Sequence, residues 1–325
     1  MSTPTSSSMV AIRSAVRSEL ATCEPGDKVI VACSGGADSL ALSYALIKEA
    51  QKLTLQVIGI TINHQLQDQS RQQAEKVIEQ FHMMGIAVSE IIDVQVELKD
   101  GLEASARKAR YGALDAASKK YGASKVFLGH TRDDQAESVL LGLARGSGTR
   151  SLSGMASNAG KYVRPLLSIT REETVNACSE VGLIPWIDPH NSDQQFLRVR
   201  VRTQSLPVLE ETIGPGISAA LARSAALLRD DADALDGWAL EAFSGVEVES
   251  IAIENLVALP RAVRTRVLKL ALYAAGAPQG SVSADHVSAI EALVTSWHGQ
   301  GALDMPGGVK VSRISGRLSL SHPSN

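Results

Sequence analysis

Short apolar runs alternate along the first half of the chain with segments whose apolar residues recur every three or four positions. The first run, residues 28–33, is rich in β-branched side chains and follows a predicted helix over 9–20. Such a run is typical of a buried parallel strand. The same pattern predicts strands over 55–62, 86–94 and 125–128, and helices over 39–51, 70–84, 103–121 and 134–144. Strands that alternate with helices of this length indicate βαβ units, so the predicted fold class is α/β with a doubly wound parallel sheet.

The pattern changes after residue 148, which indicates a second structural unit. A Ser/Gly-rich loop and one more helix are predicted over 150–158 and 168–181. The Gly-Pro-Gly sequence at 214–216 predicts a hinge, because glycine and proline interrupt helices and strands. Beyond it, helices are predicted over 217–242, 260–275 and 284–297, and a β-region over 303–320. We therefore expect a catalytic α/β domain over 1–215 and a smaller, mainly helical α+β domain over 216–325.

Composition narrows the class of protein. The 325 residues are 44% hydrophobic, with 32 basic and 35 acidic side chains, so the chain can bury a core. The balanced charge excludes a wholly basic nucleic-acid-binding surface but leaves room for a local basic groove. We expect no membrane span and no secretory signal, because the required apolar segments are missing. Isolated Cys23, Cys33 and Cys178 predict neither disulfides nor a zinc site, which favours a cytoplasmic location.

The first predicted strand ends in a turn that has the composition of a phosphate-binding loop. In open α/β sheets, ligands bind at the carboxyl ends of strands, where this turn lies. Two glycines let backbone N–H groups approach an anion, two serines add hydroxyl donors, and the next helix contributes its partial positive charge. The predicted phosphate-binding residues are Ser34, Gly35, Gly36, Ala37, Asp38 and Ser39.

This turn differs from the common phosphate-binding motifs. No lysine follows it, as the Walker pattern requires. The dinucleotide fingerprint G-x-G-x-x-G fails elsewhere in the chain, because Gly146 and Gly148 are followed by Ser151 where the third glycine is needed. Asp38 is unusual in such a turn because a bare carboxylate repels phosphate. Its presence is explained if Asp38 holds Mg²⁺ that bridges to the phosphates. The alternative is a tight turn in which Asp38 lies near the helix cap.

The sequence S-G-G-x-D-S after a first strand resembles the loop of the N-type ATP pyrophosphatases (PP-loop superfamily), which adenylate a substrate and release pyrophosphate. Within that group, residues 27–210 resemble the tRNA(Ile)-lysidine synthetases in further blocks that follow the family's order. Residues 103–111 match E-x-x-A-R-x-x-R-Y, residues 129–138 match G-H-x-x-D-D-x-x-E-T/S, and residues 145–148 with 154–155 match R-G-S/T-G and G-M. Residues 164–167, 188–191 and 198–202 match R-P-L-L, D-x-x-N and R-x-x-x-R.

The resemblance implies an activity and its substrates. It implies that ATP activates the wobble cytidine of tRNA(Ile) with anticodon CAU, and that L-lysine then displaces AMP at C2 to give lysidine. It also implies a catalytic role for Asp38 and Asp134 as Mg²⁺ ligands. Arg107 and Arg110, on one face of a predicted helix, would contact the nucleotide's phosphates. We expect a ligase that uses ATP and Mg²⁺, as a monomer or homodimer.

Several of these residues have alternative roles. His130 follows the fourth predicted strand, where it either hydrogen-bonds ATP or the target base, acts as an acid or base, or is structural. Asp134 either binds Mg²⁺ or orients the lysine amine, and Glu137 on the same helical face is expected to cap the helix. A solvated helix face is the alternative for Arg107 and Arg110.

Arginines in the second half of the chain are candidates for tRNA contact. Arg198, Arg200 and Arg202 alternate with valines, which predicts a strand with one basic face towards RNA phosphates. We expect Arg145 and Arg150 to join that surface. In the second domain a basic stripe either grips tRNA or is a solvated helix face: Arg261, Arg264, Arg266 and Lys269.

The chain departs from the family after the second predicted strand, where Asn63 and Gln67 replace the usual aspartate and arginine. Their absence weakens any catalytic role for this stretch. Other functions are less well supported. A tRNA thiolase typically needs cysteine pairs, which the chain lacks. A small-molecule amidation enzyme would leave the arginines of 198–202 without a role, and a non-catalytic binding protein would not require the intact loop.

Overall fold

A computed structural model describes residues 7–65, 70–95, 101–146, 148–188 and 193–322 of the chain. The chain divides into two compact units, residues 1–229 and 230–325. This division falls further along the chain than the domain boundary expected after residue 215, and that boundary stays a prediction. Within the described ranges, no helix is long and apolar enough to cross a membrane.

A mostly parallel sheet forms the centre of the first unit. Its described strands are β1 (Lys28–Ala32), β2 (Gln56–Asn63), β3 (Val88–Asp93), β4 (Lys125–Leu128), β5 (Asn158–Ala159) and β6 (Tyr162–Val163). Their order across the sheet is β3-β2-β1-β4-β6-β5. All neighbours in this order are parallel apart from the antiparallel pair β5 and β6. The predicted α/β class is confirmed.

Helices cover both faces of this sheet. The described ones are α1 (Ser8–Leu20), α2 (Ala37–Ala50) with a 3₁₀ turn (Gln51–Leu53), α3 (Ser70–Met84), α4 (Leu102–Tyr121), α5 (Arg132–Ala144), α6 (Thr149–Leu152), α7 (Arg171–Glu180), α8 (Leu197–Arg200), a π-helical turn (Val201–Ser205) and α9 (Leu206–Thr212). Val29 and Val31 of β1 belong to a core with α1 and α2, whereas Ile30 and Ala32 belong to a second core with Leu114 of α4. Because β1 is buried on both faces, its sequence is continuously apolar rather than alternating.

The strand order changes direction at β1, and this arrangement positions the site. Ala32 at the end of β1 is in register with Leu128 at the end of β4, so the loops that follow these strands are neighbours. Such a point is where open α/β sheets bind ligands. Gly129 is required there, because a Cβ atom at this residue would lie 3.0 Å from the backbone of Asp38. The turn after β1 and His130 are therefore held at one edge of the sheet.

The second unit contains a smaller, antiparallel sheet packed with helices. Helix α10 (Ile217–Phe243) begins in the first unit and ends in the second. The described elements that follow are β7 (Ile251–Ala252), α11 (Ile253–Val257), α12 (Arg261–Ala274), a 3₁₀ turn (Gln279–Ser281), α13 (Ala284–Thr295), β8 (Leu303–Asp304), a 3₁₀ turn (Pro306–Gly308), β9 (Lys310–Ile314) and β10 (Arg317–Ser321). The strand order is β7-β10-β9-β8. Leu268, Ile290 and Val311 lie in its core. The expected second α+β domain is confirmed.

Residues 198–202 form α8 and the start of the π-helical turn, so the strand predicted there is wrong. Val199 and Val201 are both buried, and Val201 packs with Ala136 of α5. An alternation of only five residues is compatible with either structure, and packing against α5 favours the helix. The loop predicted over 150–158 likewise begins in a short helix, α6.

Candidate active site

The turn after β1 has the geometry of an anion-binding loop. Gly35 has a φ of +86°, a conformation that glycine adopts without strain. The Ser39 hydroxyl accepts the Ser34 N–H at 3.1 Å and donates to the Gly36 carbonyl at 3.0 Å, which holds the turn closed. No side chain caps the start of α2 at Gly36. The first N–H groups and the dipole of α2 therefore remain available to a phosphate.

Asp38 lies in the first turn of α2 and is contacted by α7. Its Oδ1 accepts a hydrogen bond from the Thr174 hydroxyl, and its Oδ2 lies 3.4 Å from Nε of Arg171. Burial raises the pKa of Asp38, an effect that the charge of Arg171 and the Thr174 hydroxyl oppose. The carboxylate thus lies beside the phosphate loop, as the sequence predicts, but its oxygens already have partners.

Asp134 lies in the first turn of α5 and uses its two oxygens differently. Oδ2 accepts the N–H of Thr131 at 2.9 Å and its hydroxyl at 3.2 Å, which caps the helix. Oδ1 accepts from Nη2 of Arg171 at 3.0 Å and from Nη2 of Arg202 at 3.4 Å. Although burial acts in the opposite direction, Arg171 and the Thr131 N–H hold the pKa of Asp134 below its usual value. Asp134 therefore stays ionised.

Glu137 does not cap α5, which Thr131 and Asp134 cap, and this corrects the sequence-based expectation. Its side chain is fully buried, and Arg202 donates to both of its oxygens, at 2.6 Å to Oε1 and 3.1 Å to Oε2. Burial raises the pKa of Glu137, and the paired Arg202 opposes that rise. The pair is a bidentate contact that fixes the orientation of both side chains.

Arg171 joins these carboxylates into one network. Besides its contacts with Asp38 and Asp134, its Nη1 lies 3.9 Å from Oε1 of Glu137. We call Asp38, Asp134, Glu137, Arg171 and Arg202 the charge cluster. Among the described residues, no group of three or more His, Cys, Asp or Glu side chains is placed to hold a metal ion. A divalent cation in the charge cluster would therefore need oxygen ligands from a substrate or from water.

His130 lies beside the charge cluster as a neutral ring. Burial and the nearby charge of Arg110 lower its pKa to about 3. Its Nδ1 is buried and has no hydrogen-bond partner. A ring with this pKa is a poor acid or base at neutral pH, whereas an unpartnered buried nitrogen is suited to a hydrogen bond with a ligand. Of the alternatives for His130, the geometry favours hydrogen bonding.

Three arginines face Tyr111 next to His130. Arg107 is exposed, and its guanidinium stacks on the Tyr111 ring at 4.8 Å. Nη2 of Arg164 donates a hydrogen bond to the Tyr111 hydroxyl at 3.1 Å. Arg110 is half-buried, burial lowers its pKa, and within the described ranges it has no hydrogen-bonded carboxylate partner. This set of cations gives the site the positive potential that a triphosphate requires. Arg164, in the R-P-L-L element, was not predicted as a site residue.

The arginines of 198–202 do not share one face. Nη2 of Arg198 donates to the Ser138 hydroxyl at 2.8 Å, and Arg202 belongs to the charge cluster. Arg200 is exposed and donates to the carbonyls of Gln194 and Gln195. The predicted single basic face is therefore wrong, because a helical backbone directs Arg198 and Arg202 towards α5 and Arg200 away from it. Arg145 and Arg150 are exposed, and their contact with tRNA stays a prediction.

The basic stripe of the second unit is mostly paired within that unit. Arg261 and Arg264 contact the carboxylate of Glu291 at 3.1 and 3.0 Å, and Arg266 contacts Asp236 at 2.6 Å. Lys269 lies over the Tyr273 ring at 5.8 Å. These contacts favour the structural alternative for most of the stripe.

Asn63 ends β2 and borders a cavity of about 460 Å³ at the carboxyl ends of β2 and β3. Its Nδ2 donates to Oδ1 of Asp93 at 2.7 Å, and Arg71 contacts Oδ2 of Asp93 at 2.9 Å. An aspartate at residue 63 could not donate this hydrogen bond and would face Asp93 with a like charge. Asn63 is therefore more compatible with Asp93 than an aspartate at residue 63 would be. Gln67, the other departure from the family pattern, lies outside the described residues.

The main site residue that the sequence did not reveal is Arg171. It is the first residue of α7, and the preceding Thr170 caps that helix together with Glu173. A cation in the first turn of a helix is disfavoured by the helix dipole, so the position of Arg171 in the sequence was itself a signal that this arginine has a role outside its own helix. Thr174, one turn further on, was missed because it lies in no motif.

Comparisons with known proteins agree with this geometry. Residues 9–209 match the PP-loop domain family, and residues 252–319 match the TilS substrate binding domain. A solved structure of the U34-tRNA thiolase NcsA from Methanococcus maripaludis, with its 4Fe-4S cluster, is similar to this chain with a TM-score of 0.57 at 19% identity. The match covers 68% of this chain and 80% of that one, and at this identity it shows the fold alone.

Two curated relatives are similar over nearly the whole chain. The tRNA(Ile)-lysidine synthase of Thermobifida fusca is 48% identical over 312 residues, which is 95% of this chain and 96% of that protein. The enzyme of the same name from Streptomyces coelicolor is 50% identical over 297 residues, which is 90% of this chain and 84% of that protein. Both domain matches and both relatives confirm the resemblance seen in the motifs, and the chain belongs to the tRNA(Ile)-lysidine synthase family.

Proposed function

We propose that this protein is an ATP-dependent ligase that couples L-lysine to C2 of the wobble cytidine of tRNA(Ile) with anticodon CAU, giving lysidine, AMP and pyrophosphate. One observation carries the proposal. The phosphate loop at 34–39 and the charge cluster meet at one edge of the sheet, which brings an anion site next to three buried or half-buried carboxylates. A nucleotide and a basic amine need these two kinds of site side by side. The protein acts in the cytoplasm as a monomer or homodimer.

The first step activates the base. The C2 carbonyl oxygen of the cytidine forms a bond to the α-phosphorus of ATP, and the bond between that phosphorus and the β-phosphate oxygen breaks, so that pyrophosphate leaves. The N–H groups at the start of α2 bind the phosphates, and the Ser39 hydroxyl holds the loop closed around them. Arg107, Arg110 and Arg164 neutralise the charge that develops on them.

The donor set of the charge cluster fits Mg²⁺. Asp38 and Asp134 offer hard carboxylate oxygens close enough for one guanidinium to bridge them, and Mg²⁺ in nucleotide sites takes one or two protein carboxylates. When bound, the ion would supply charge that stabilises the departing pyrophosphate.

The second step attaches lysine. Its ε-amine forms a bond to the activated C2, and the bond from C2 to the oxygen carried by AMP breaks. The amine reacts only after it loses a proton. We assign proton acceptance to Glu137, because it is buried and burial raises its pKa, whereas the low pKa of His130 makes that ring a poor base. Asp134, which stays ionised, orients the amine.

Sulfur transfer, the chemistry of the thiolase that shares this fold, is poorly supported by the thiols. Cys33 and Cys178 are buried and Cys23 is half-buried, and all are unpaired. Burial and the charge of Asp38 raise the pKa of Cys178 to about 12. A thiol with such a pKa is a poor nucleophile or cluster ligand at neutral pH.

One assay tests the proposal. The protein is mixed with Mg-ATP, labelled lysine and tRNA(Ile) carrying CAU, and lysine incorporation into RNA and pyrophosphate release are both measured. We expect incorporation with this tRNA, none with methionine tRNA, and no pyrophosphate release by Asp38→Asn. Asp304→Asn, an exposed carboxylate of the second unit, is the matched control and should behave as wild type. Turnover with another acceptor but no lysine incorporation would contradict the proposed function.

A further inference from the structure

Arg171 occupies the position between Asp38 and Asp134 that a cation bound to both carboxylates would take. Its Nε lies 3.4 Å from Asp38 and its Nη2 lies 3.0 Å from Asp134. We propose that Arg171 is a positioning residue that excludes a divalent cation from these carboxylates until nucleotide arrives, so that metal and ATP enter the site together. The inference rests on the proposed metal role of Asp38 and Asp134.

The two carboxylates need a cation between them. Both approach the same guanidinium, since Oδ2 of Asp38 lies 3.4 Å from Nε of Arg171 and Oδ1 of Asp134 lies 3.0 Å from its Nη2. Two like charges that close together are stable in a buried site only when an opposite charge lies between them. In the nucleotide-free protein, the guanidinium of Arg171 provides that opposite charge and contacts both carboxylates.

The guanidinium of Arg171 can move while its backbone stays fixed. The Arg171 N–H donates to Asp133 at 2.8 Å, and the cap formed by Thr170 and Glu173 holds the start of α7. The contact with Asp38 is long for a charge-assisted hydrogen bond, which is typically about 2.8 Å. Release of Asp38 and Asp134 therefore requires only a side-chain movement.

Charge balance explains why metal alone would not displace Arg171. The charge cluster contains three carboxylates and two guanidiniums, and Arg107, Arg110 and Arg164 lie on the side of Tyr111 and His130. A bare divalent cation would give this region an excess of positive charge. A metal–triphosphate complex is negative overall, so its phosphates give the displaced guanidinium and the other arginines new partners.

The test measures Mn²⁺ binding by electron paramagnetic resonance, which detects the unbound ion and needs no turnover. Wild type should bind Mn²⁺ weakly alone and more tightly with a non-hydrolysable ATP analogue. Arg171→Gln should bind Mn²⁺ without nucleotide about tenfold more tightly than wild type, because the competing guanidinium is gone. Arg266→Gln, an ion-paired arginine of the second unit, is the matched control and should behave as wild type.

Arg171→Lys provides a second variant if Arg171→Gln does not fold. The substituted lysine side chain keeps the positive charge, but it lacks the planar guanidinium that lets Arg171 contact two carboxylates at once. Mn²⁺ binding without nucleotide should therefore tighten by about threefold. Unchanged nucleotide-free affinity in both variants would overturn the proposal. Asp38→Asn separates this outcome from failure of the proposed function. If that variant still binds Mn²⁺ normally with the analogue, the metal role of Asp38 is wrong. If it does not, and Arg171→Gln has no effect, only the role of Arg171 is wrong.

Discussion

Two clusters of charged side chains in the first unit have opposite balances of charge. In one, the buried carboxylate of Glu49 on α2 is contacted by Arg13, Arg17 and Lys52, each within 3.0 Å. The hydrogen bond from Arg17, together with those from Lys52 and Arg13, lowers the pKa of Glu49 to about 2. In the charge cluster, carboxylates outnumber guanidiniums, and burial raises the pKa of Asp38 and Glu137.

The difference separates a structural cluster from a functional one. Glu49 has more cations than it needs, so it ties α1 to α2 and has no remaining capacity for a ligand. The charge cluster lacks one cation for full balance, and the ammonium group of a lysine substrate can supply it. Perturbed carboxylates mark functional sites when the perturbation comes from burial and unbalanced like charge rather than from complete pairing.

Glu137→Gln should have the largest effect. If Glu137 accepts the proton from the lysine amine, lysine incorporation should fall by about 10²–10⁴-fold, the usual contribution of a general base. Pyrophosphate release should change much less, because Asp38 and Asp134 remain in place. Separate measurement of the two products checks this result. Equal loss of both products would show that Glu137 acts in activation of the base instead.

Glu49→Gln should destabilise the protein without changing its chemistry. Removal of one buried partner from a cluster of cations should lower the free energy of unfolding of the first unit by about 2 kcal/mol. Hydrogen exchange in peptides of α1 and α2 measures this loss, and lysine incorporation at a temperature where the variant is folded should equal that of wild type. A fall in turnover at full folding would remove the distinction between the two clusters.

The pH dependence of the free energy of unfolding should reflect the lowered pKa of Glu49. Its pKa in the folded protein is about 2, below the ordinary value of 4.5, so its contribution is fully present above pH 4.5. As the pH falls from there towards 2, protonation removes that contribution. The stability difference between wild type and Glu49→Gln should therefore be constant near neutral pH and shrink in acid. Unfolding by urea at a series of pH values, followed by hydrogen exchange in α1, checks this expectation. A difference that grows in acid would contradict it.

The sequence predicted the fold and the turn between β1 and α2 well, for a physical reason, whereas phosphate binding by that turn stays a prediction. A parallel strand buried on both faces must be continuously apolar, and a turn that binds phosphate must contain small residues, so both features are local. β1 and the loop at 34–39 are examples, and the family blocks placed His130 and Asp134 at the same edge. These predictions needed no knowledge of contacts between distant residues.

Pairings between distant residues could not be predicted in the same way. Glu49 and Lys52 are close in sequence, but Arg13 and Arg17 are on another helix, so nothing in the sequence distinguished Glu49 from an exposed glutamate. Arg171 reaches Asp38 from a different element for the same reason. The partners of a long charged side chain often lie on other helices or strands, which only the folded structure brings close to it.

Substitutions of Arg200 and Arg202 should have the smallest effects on function. They allow the most direct comparison, because these arginines are two residues apart but differ in surroundings. Arg200 is exposed, whereas Arg202 is paired with buried Glu137. If Arg200 contacts an RNA phosphate, Arg200→Ala should reduce the slope of log affinity for tRNA against log salt by about 1 and leave turnover unchanged. Arg202→Ala should leave the slope unchanged and lower lysine incorporation, because Glu137 then loses the partner that orients it. Binding measured over a range of salt concentrations, with turnover at saturating tRNA, separates the two. Equal slope changes would place both arginines on the RNA, and the charge cluster would then lack its second guanidinium in the complex.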